Sequence, residues 1–184
     1  MGMPAHAPTY YTVDDVLAFP NDGNRYELVY GKLLVSPSPS FLHQKILSRL
    51  FYQIISYCER ECAGQALCAP ADLTWGRKDV IAQPDIFVIG PEDAHVHTWA
   101  EVRRVPLIAE VLSPSTKHYD RFDKRGLYRD RLVDVYWIVD PVEELAEVWT
   151  PASQSPVVER ERLVWHASGA QTSLIVDLPA LFAR

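Results

Sequence analysis

Six residues in the middle of the chain, Leu107-Ile108-Ala109-Glu110-Val111-Leu112, constrain the fold more than any other segment. A short apolar run of this length reads as a strand buried inside a sheet. Glu110 sits within it, and a buried, unpaired carboxylate costs several kcal/mol or takes up a proton. A second carboxylate, Asp85, follows Pro84 and heads another apolar run, Ile86-Phe87-Val88-Ile89. Two carboxylates in neighbouring core strands call for a compensating cation, either a metal ion or a Lys/Arg. Lys124, in a segment that reads as a helix, is the candidate ammonium.

The rest of the chain supplies the frame. Residues 1–8 are expected to be a disordered tail and residues 9–184 a single domain. Thr12 reads as an N-cap with Asp14 and Asp15 in the first turn, opening a short helix that Pro20-Asn21-Asp22-Gly23 stops. Arg25 to Val35 reads as a hairpin turning at Tyr30-Gly31, with Glu27 on the face opposite Tyr26 and Leu28. The run Ser36-Pro37-Ser38-Pro39-Ser40 breaks the strand and caps a long helix from Phe41 to about Cys62, where Leu42, Ile46, Leu50 and Ile54 recur at helical spacing. Strands are expected over Gln65–Trp75, Pro84–Ile89, Leu107–Leu112, Val133–Val139 and Leu145–Thr150, with weaker ones at Val157–Val164 and Leu174–Val176. A helix from Lys117 to about Arg129 and a terminal helical turn at Pro179–Phe182 complete the order. This is an α+β pattern, with a mixed central sheet flanked by helices.

A net charge of −6 suits a nucleic-acid coat protein poorly. It leaves a nuclease open, because part of the acidity can be a carboxylate site that a divalent cation offsets. Cys58, Cys62 and Cys68 are odd in number and lack zinc spacing, so they read as reduced thiols. With no basic leader at the start and no membrane-length apolar stretch, a cytoplasmic protein is expected. His95 and His97 read as exposed loop residues. No phosphate-binding glycine loop is present, and the Ser113 segment reads as a strand-to-helix turn.

One ordered set of motifs goes further: Tyr26-Glu27-Leu28-Val29 with Gly31-Lys32-Leu33, then His43, Pro84-Asp85, Glu110-Val111-Leu112-Ser113-Pro114-Ser115-Thr116, Lys124, and Tyr136-Trp137-Ile138-Val139-Asp140. From about Tyr11 to Pro141 this order resembles the Uma-type family of restriction-endonuclease-like proteins, within the PD-(D/E)xK nuclease superfamily. The Glu-Val-Leu-Ser-Pro-Ser-Thr segment is the most specific part. Leu112 stands where the superfamily often has its Lys; in the resembling family the Lys comes from the following helix, which fits Lys124. Asp130 to Val135 departs from the Gly-Val that tends to precede the Tyr-Trp strand.

The resemblance implies a restriction-endonuclease-like fold, a Mg²⁺ or Mn²⁺ cofactor and DNA as substrate. A homodimer is expected both from the resemblance and from Trp99, Trp137, Trp149 and Trp165, with the strands from Leu145 onward, beyond the nuclease core, as its contact. The resemblance also implies Asp85, Glu110 and the carbonyl of Val111 as metal ligands. Lys124 is to orient the attacking water and steady the phosphorane charge, with Glu27 and His43 completing the pocket. On this reading Lys124→Ala leaves fold and metal affinity nearly intact. The alternative is a non-catalytic homodimeric scaffold that keeps the fold, slightly favoured by the acidic charge. A basic rim converging from Lys32, Lys45, Arg49, Lys117, Arg121 and Arg125 favours the nuclease.

Overall fold

The computed structural model describes residues 10–114 and 116–183, so the tail expected at 1–8 lies outside the described residues. Helix α1 (Val13–Leu17) opens on a capping box: the Thr12 hydroxyl accepts from the Asp15 N–H, and the Asp15 carboxylate accepts from the Thr12 N–H. Strands β1 (Arg25–Val29) and β2 (Lys32–Ser36) form the expected hairpin. Its turn residues Tyr30 and Gly31 have φ of 50° and 81°, the left-handed pair that a two-residue hairpin demands. Helix α2 (Phe41–Glu61) starts at Ser40, whose side chain accepts from the His43 N–H, and ends at a left-handed Cys62.

Strands β3 (Gln65–Cys68), β4 (Val80–Ile81), β5 (Ile86–Ile89) and β6 (Leu107–Val111) follow. A π-helical turn, Tyr119–Lys124, runs straight into α3 (Arg125–Asp130). The chain continues through β7 (Val135–Asp140), β8 (Leu145–Trp149), β9 (Val157–Glu159), β10 (Arg162–Trp165) and β11 (Leu174–Asp177) to α4 (Leu178–Phe182). The central sheet has six strands in the order β3-β5-β6-β7-β8-β9, with β6 and β7 parallel and the other pairs antiparallel. Smaller sheets, β2-β1-β4 and β10-β11, lie beside it. The fold is α+β with a mixed sheet, as the sequence predicts. Among the described residues no helix is long and apolar enough to cross a membrane.

Period-2 alternation assigns each face of the sheet its own core. Ala109 and Val111 of β6, with Val88 and Trp137, pack on Ile46, Leu50 and Ile54 of α2, and Trp165, Val176 and Leu181 close over that layer. Phe87, Ile108 and Ile138 face the opposite way, onto Val29, Leu73, Leu127 and Tyr128. Glu110 shares the parity of Ile108, and Asp85 that of Phe87. Both carboxylates therefore point to the face covered by the hairpin and α3.

Three expectations need correction. The strand expected over Gln65–Trp75 pairs only as far as Cys68, because Pro70 has no N–H to continue the ladder; Leu73 then makes a lone bridge to Ala82. Strand β4 was not anticipated, being two residues long and too short to carry a period. Val157–Val164 is two strands, β9 on the central sheet and β10 paired with β11.

Candidate active site

The β5–β6 ladder ends at the pair Ile86 and Ala109, and side chains take over where backbone pairing stops. The Val111 N–H donates to Asp85 Oδ2 at 2.9 Å, and the Asp85 N–H donates to Glu110 Oε2 at 3.2 Å. Glu110 Oε1 accepts from Lys124 Nζ at 3.0 Å and from the Tyr128 hydroxyl at 2.9 Å. Lys124 Nζ also lies 2.9 Å from Glu27 Oε2 and 3.3 Å from Asp120 Oδ1. Glu27 Oε1 accepts from the Gln83 N–H at 2.7 Å. Arg25 Nη1 reaches Asp85 Oδ1 at 3.1 Å, and His43 Nε2 stands 3.5 Å from Asp85 Oδ2.

The structure thus brings Glu27, His43, Asp85, Glu110, Val111 and Lys124 into one place. It adds Arg25, Asp120, Tyr128 and Gln83. Arg25 is the residue that sequence reasoning missed; its signal was present, since Arg25 and Glu27 are two apart on a strand and share a face. Asp120, Lys124 and Tyr128 are spaced by four and meet on one side of the helical segment. The π turn beneath them is fixed by Tyr136, which donates to the Asp120 carbonyl at 3.1 Å and packs edge-on against Tyr128. Single π turns recur at functional sites.

Burial makes the charge balance decisive. Glu27, Asp85, Glu110 and Asp120 are each no more than 2% exposed, and Lys124 is 1% exposed. Arg25 keeps 24% of its side chain open. Four carboxylates face two fixed cations, so two negative charges are left unbalanced if all ionise. Burial pushes Glu110 well above its ordinary range; Lys124 opposes this, while Asp85, Asp120 and Glu27 add to it. Asp120 is raised for the same reason. Burial works against an ionised Asp85 too, but His43 and Arg25 outweigh it and hold this carboxyl well below the usual range. Lys124 is desolvated, yet Glu110, Glu27 and Asp120 keep it firmly protonated.

The donor set fits a divalent cation. Each carboxylate oxygen accepts about two hydrogen bonds. Glu110 Oε1 is filled, whereas Glu110 Oε2 and Asp85 Oδ1 each keep one open position. His43 Nδ1 is buried without a hydrogen-bond partner. The Val111 N–H points to the Asp85 side, and in a strand the carbonyl of the same residue faces the same edge. Among the described residues no three His, Cys, Asp or Glu side chains converge as a ligand group. A cation here would take two carboxylates and complete its shell with carbonyl and water oxygens, as Mg²⁺ and Mn²⁺ readily do.

A cleft of about 860 Å³ opens onto this cluster, with Arg25, His43, Gln83 and Asp85 at its floor and the Ser36–Ser40 run along one wall. Glu27, Glu110 and Lys124 lie behind that floor. None of the six basic residues expected to form a rim lines the cleft. Lys32 is held by Asp123, Arg49 by the Leu181 carbonyl, and Arg121 by Glu147 and Asp140, while Arg125 stacks 4.2 Å over Trp149.

The expectation for Lys124→Ala also changes. The ammonium lies within 3.3 Å of three carboxylates, Glu27, Glu110 and Asp120, and Lys124 does not line the cleft, so its removal should disturb the buried cluster.

The model of the Uma2 family, described as putative restriction endonuclease, matches residues 13–178. The chain belongs to the Uma2 family. Membership supports a nuclease function. A solved structure, a putative nuclease belonging to DUF820 from Anabaena variabilis, is similar to the chain with a TM-score of 0.74 and 24% identity, over 93% of this chain and 97% of that one. At that identity the likeness establishes the fold. No curated protein matches the chain. The Uma2 match spans every member of the buried cluster, from Arg25 to Tyr128.

Proposed function

We propose that the chain is a Mg²⁺- or Mn²⁺-dependent endonuclease that hydrolyses DNA phosphodiester bonds. One observation carries the reading: Asp85 and Glu110 stand side by side, each with one open oxygen position, in a buried cluster short of two positive charges. Asp85, Glu110 and the Val111 carbonyl would hold the cation. When bound, it supplies Lewis acidity and a nucleophile at neutral pH.

The chain's own groups do the rest. Tyr128 and Lys124 fix Glu110 through Oε1 and turn Oε2 toward Asp85. Glu27 anchors Lys124 and the Gln83 backbone, which sets the segment leading into Asp85. His43, at the start of α2, sits against Asp85 and completes the polar lining of the cleft there. A direct part for Lys124 on the attacking water requires one of its three contacts to open, and a cation held by Glu110 would weaken one of them. Nicking of plasmid DNA in Mn²⁺ by the wild type, and its loss in Asp85→Asn, tests this.

The second reading, a non-catalytic scaffold, is favoured by the lack of a basic rim at the cleft. The same assay decides, since a scaffold nicks no DNA with any cation. On either reading we propose a homodimer. The inner face of the β10–β11 hairpin is used within the chain, while Val164 and Ile175, directly opposite each other on its outer face, are 50% and 58% exposed. Light scattering is expected to give twice the chain mass at tens of micromolar; a monomer mass rejects the dimer.

A further inference from the structure

We infer that Arg25 engages the substrate phosphate, and that in the cation-free protein its guanidinium stands beside Asp85 in the place the cation takes. The inference rests on the metal-dependent reading above and assigns a role to a residue that reading leaves unused.

The first support is position. Arg25 is the first residue of β1, held in register opposite Ser36, and its side chain both lines the cleft and reaches the cluster. Among the described residues it is the one Lys or Arg that both lines the cleft and touches a site carboxylate. A polyanion entering the cleft meets Asp85 and Asp72 and, among the described residues, no Lys or Arg besides Arg25.

The second support is the state of the guanidinium. It makes one hydrogen bond, to Asp85 Oδ1, while its Nε is 3.7 Å from Glu27. Elsewhere in the chain a committed Arg–carboxylate pair looks different: Arg77 grips both Asp79 oxygens at 2.7 Å. Arg25 therefore has donors to spare, and a planar fork suits the oxygens of a phosphate.

The third support is competition. Asp85 Oδ1 is the open carboxylate position on the Asp85 side, and Arg25 is already bonded to it. A divalent ion binding there repels the guanidinium at close range in a poorly screened site. Behind Arg25 the cluster is packed, with Lys124 almost fully buried. The open direction is the cleft, so cation binding drives Arg25 toward the space where a phosphodiester lies. The ion and the substrate are thereby coupled through one side chain.

The test uses folded wild type, Arg25→Gln and Arg25→Lys. Mn²⁺ affinity is read by calorimetry, and binding of a short fluorescein-labelled DNA is read by anisotropy in Ca²⁺. Arg25→Gln is expected to bind Mn²⁺ about tenfold tighter, having lost the competitor, and DNA about tenfold weaker. Arg25→Lys is expected to keep Mn²⁺ affinity near that of the wild type and still bind DNA more weakly, because a point charge lacks the fork. Equal or weaker Mn²⁺ binding in Arg25→Gln, with normal Mn²⁺ binding in the wild type, overturns this inference and leaves the metal reading standing. Undiminished DNA binding in Arg25→Lys overturns it as well, and that arm needs only the conservative variant to fold. A wild type that binds no Mn²⁺ overturns both.

Discussion

Two polar clusters share the π turn of this molecule, and adjacent residues feed them. Asp120 turns inward to Lys124, Glu110 and Glu27, whereas Arg121 turns the other way, between Asp140 and Glu147. The Arg121 cluster is satisfied by neutral donors: Asp140 also accepts from the Val142 and Glu143 N–H groups, and Glu147 from the Trp149 indole. Its cation keeps 29% of its side chain exposed. The Lys124 cluster is more deeply buried, with all four carboxylates no more than 2% exposed, and it sets these four carboxylates against Lys124 and Arg25. Similar residue types thus give a structural clamp where donors match acceptors. Where they do not, they leave a place that asks for a ligand.

Removing the central cation of each cluster should separate the two most sharply. Lys124→Ala leaves three buried carboxylates without their shared partner. Loss of one member of a buried ionic group costs about 3–5 kcal/mol, or very roughly 6–20 °C in melting temperature for a chain of this size. Nicking should fall about a hundredfold or more as Glu110 loses its orientation. Arg121→Ala removes a partly exposed pair, with an expected cost of about 1 kcal/mol and nicking unchanged. Thermal melts and plasmid nicking of the two variants check both statements. Equal melting losses would erase the distinction between the clusters.

The next contrast lies within the Lys124 cluster. Asp85→Asn and Glu110→Gln keep shape and most hydrogen bonds but remove one charge from a site that has too many. Both should fold; metal-free Glu110→Gln should be no less stable than the wild type, because burial disfavours that charge, whereas Asp85→Asn should lose the stability that ionised Asp85 draws from His43 and Arg25. Both should weaken Mn²⁺ binding by well over tenfold, more than about 1.4 kcal/mol. Equal Mn²⁺ affinity in wild type and Glu110→Gln would remove the metal site.

The two clusters also differ in how far the sequence announces them. Glu110 inside an apolar run and Asp85 at the head of another were visible because burial of a lone carboxylate is unusual. The α+β order, the hairpin turn and α2 with its Ser40 cap were legible from periodicity and capping. Lys124 was legible through spacing and resemblance, but its full burial was not, because a helical Lys four residues from an Asp reads as a surface pair. Arg25 could be placed on the Glu27 face by its spacing, but the hairpin's own sequence does not show that this face packs on Asp85. The basic rim failed because counting cations ignores partners, and Asp123, Asp140, Glu147 and the C-terminal carbonyls had taken theirs. Strand β4 depends on pairing with β1 rather than on any pattern of its own.

The smallest expected effect is a pH dependence, and it tests whether a proton substitutes for the missing cation. Burial raises Glu110 in the folded protein above its ordinary value of 4.5. A group shifted in that direction contributes stability that is fully present below the unfolded value and is lost as pH rises through the folded one. The metal-free protein should therefore lose stability as pH climbs from about 4.5 toward neutrality. Asp85 is shifted the other way, so its contribution is present above its ordinary 3.8 and disappears on further acidification. Together these place the stability maximum of the metal-free protein on the mildly acidic side. On the proposed metal site, saturating Mn²⁺ would replace the Glu110 proton, so the melting temperature should become flatter with pH, and the gain from Mn²⁺ should be largest near neutrality and shrink toward pH 5. In Glu110→Gln the decline toward neutrality should be reduced even without metal, because the group that titrates is gone. Melting temperatures measured across this range, with and without Mn²⁺, decide the matter. A Mn²⁺ gain that does not vary with pH would mean that proton and cation do not compete for Glu110, and the charge excess would then have to be met elsewhere in the cluster, with Asp120 next in line because burial raises it too.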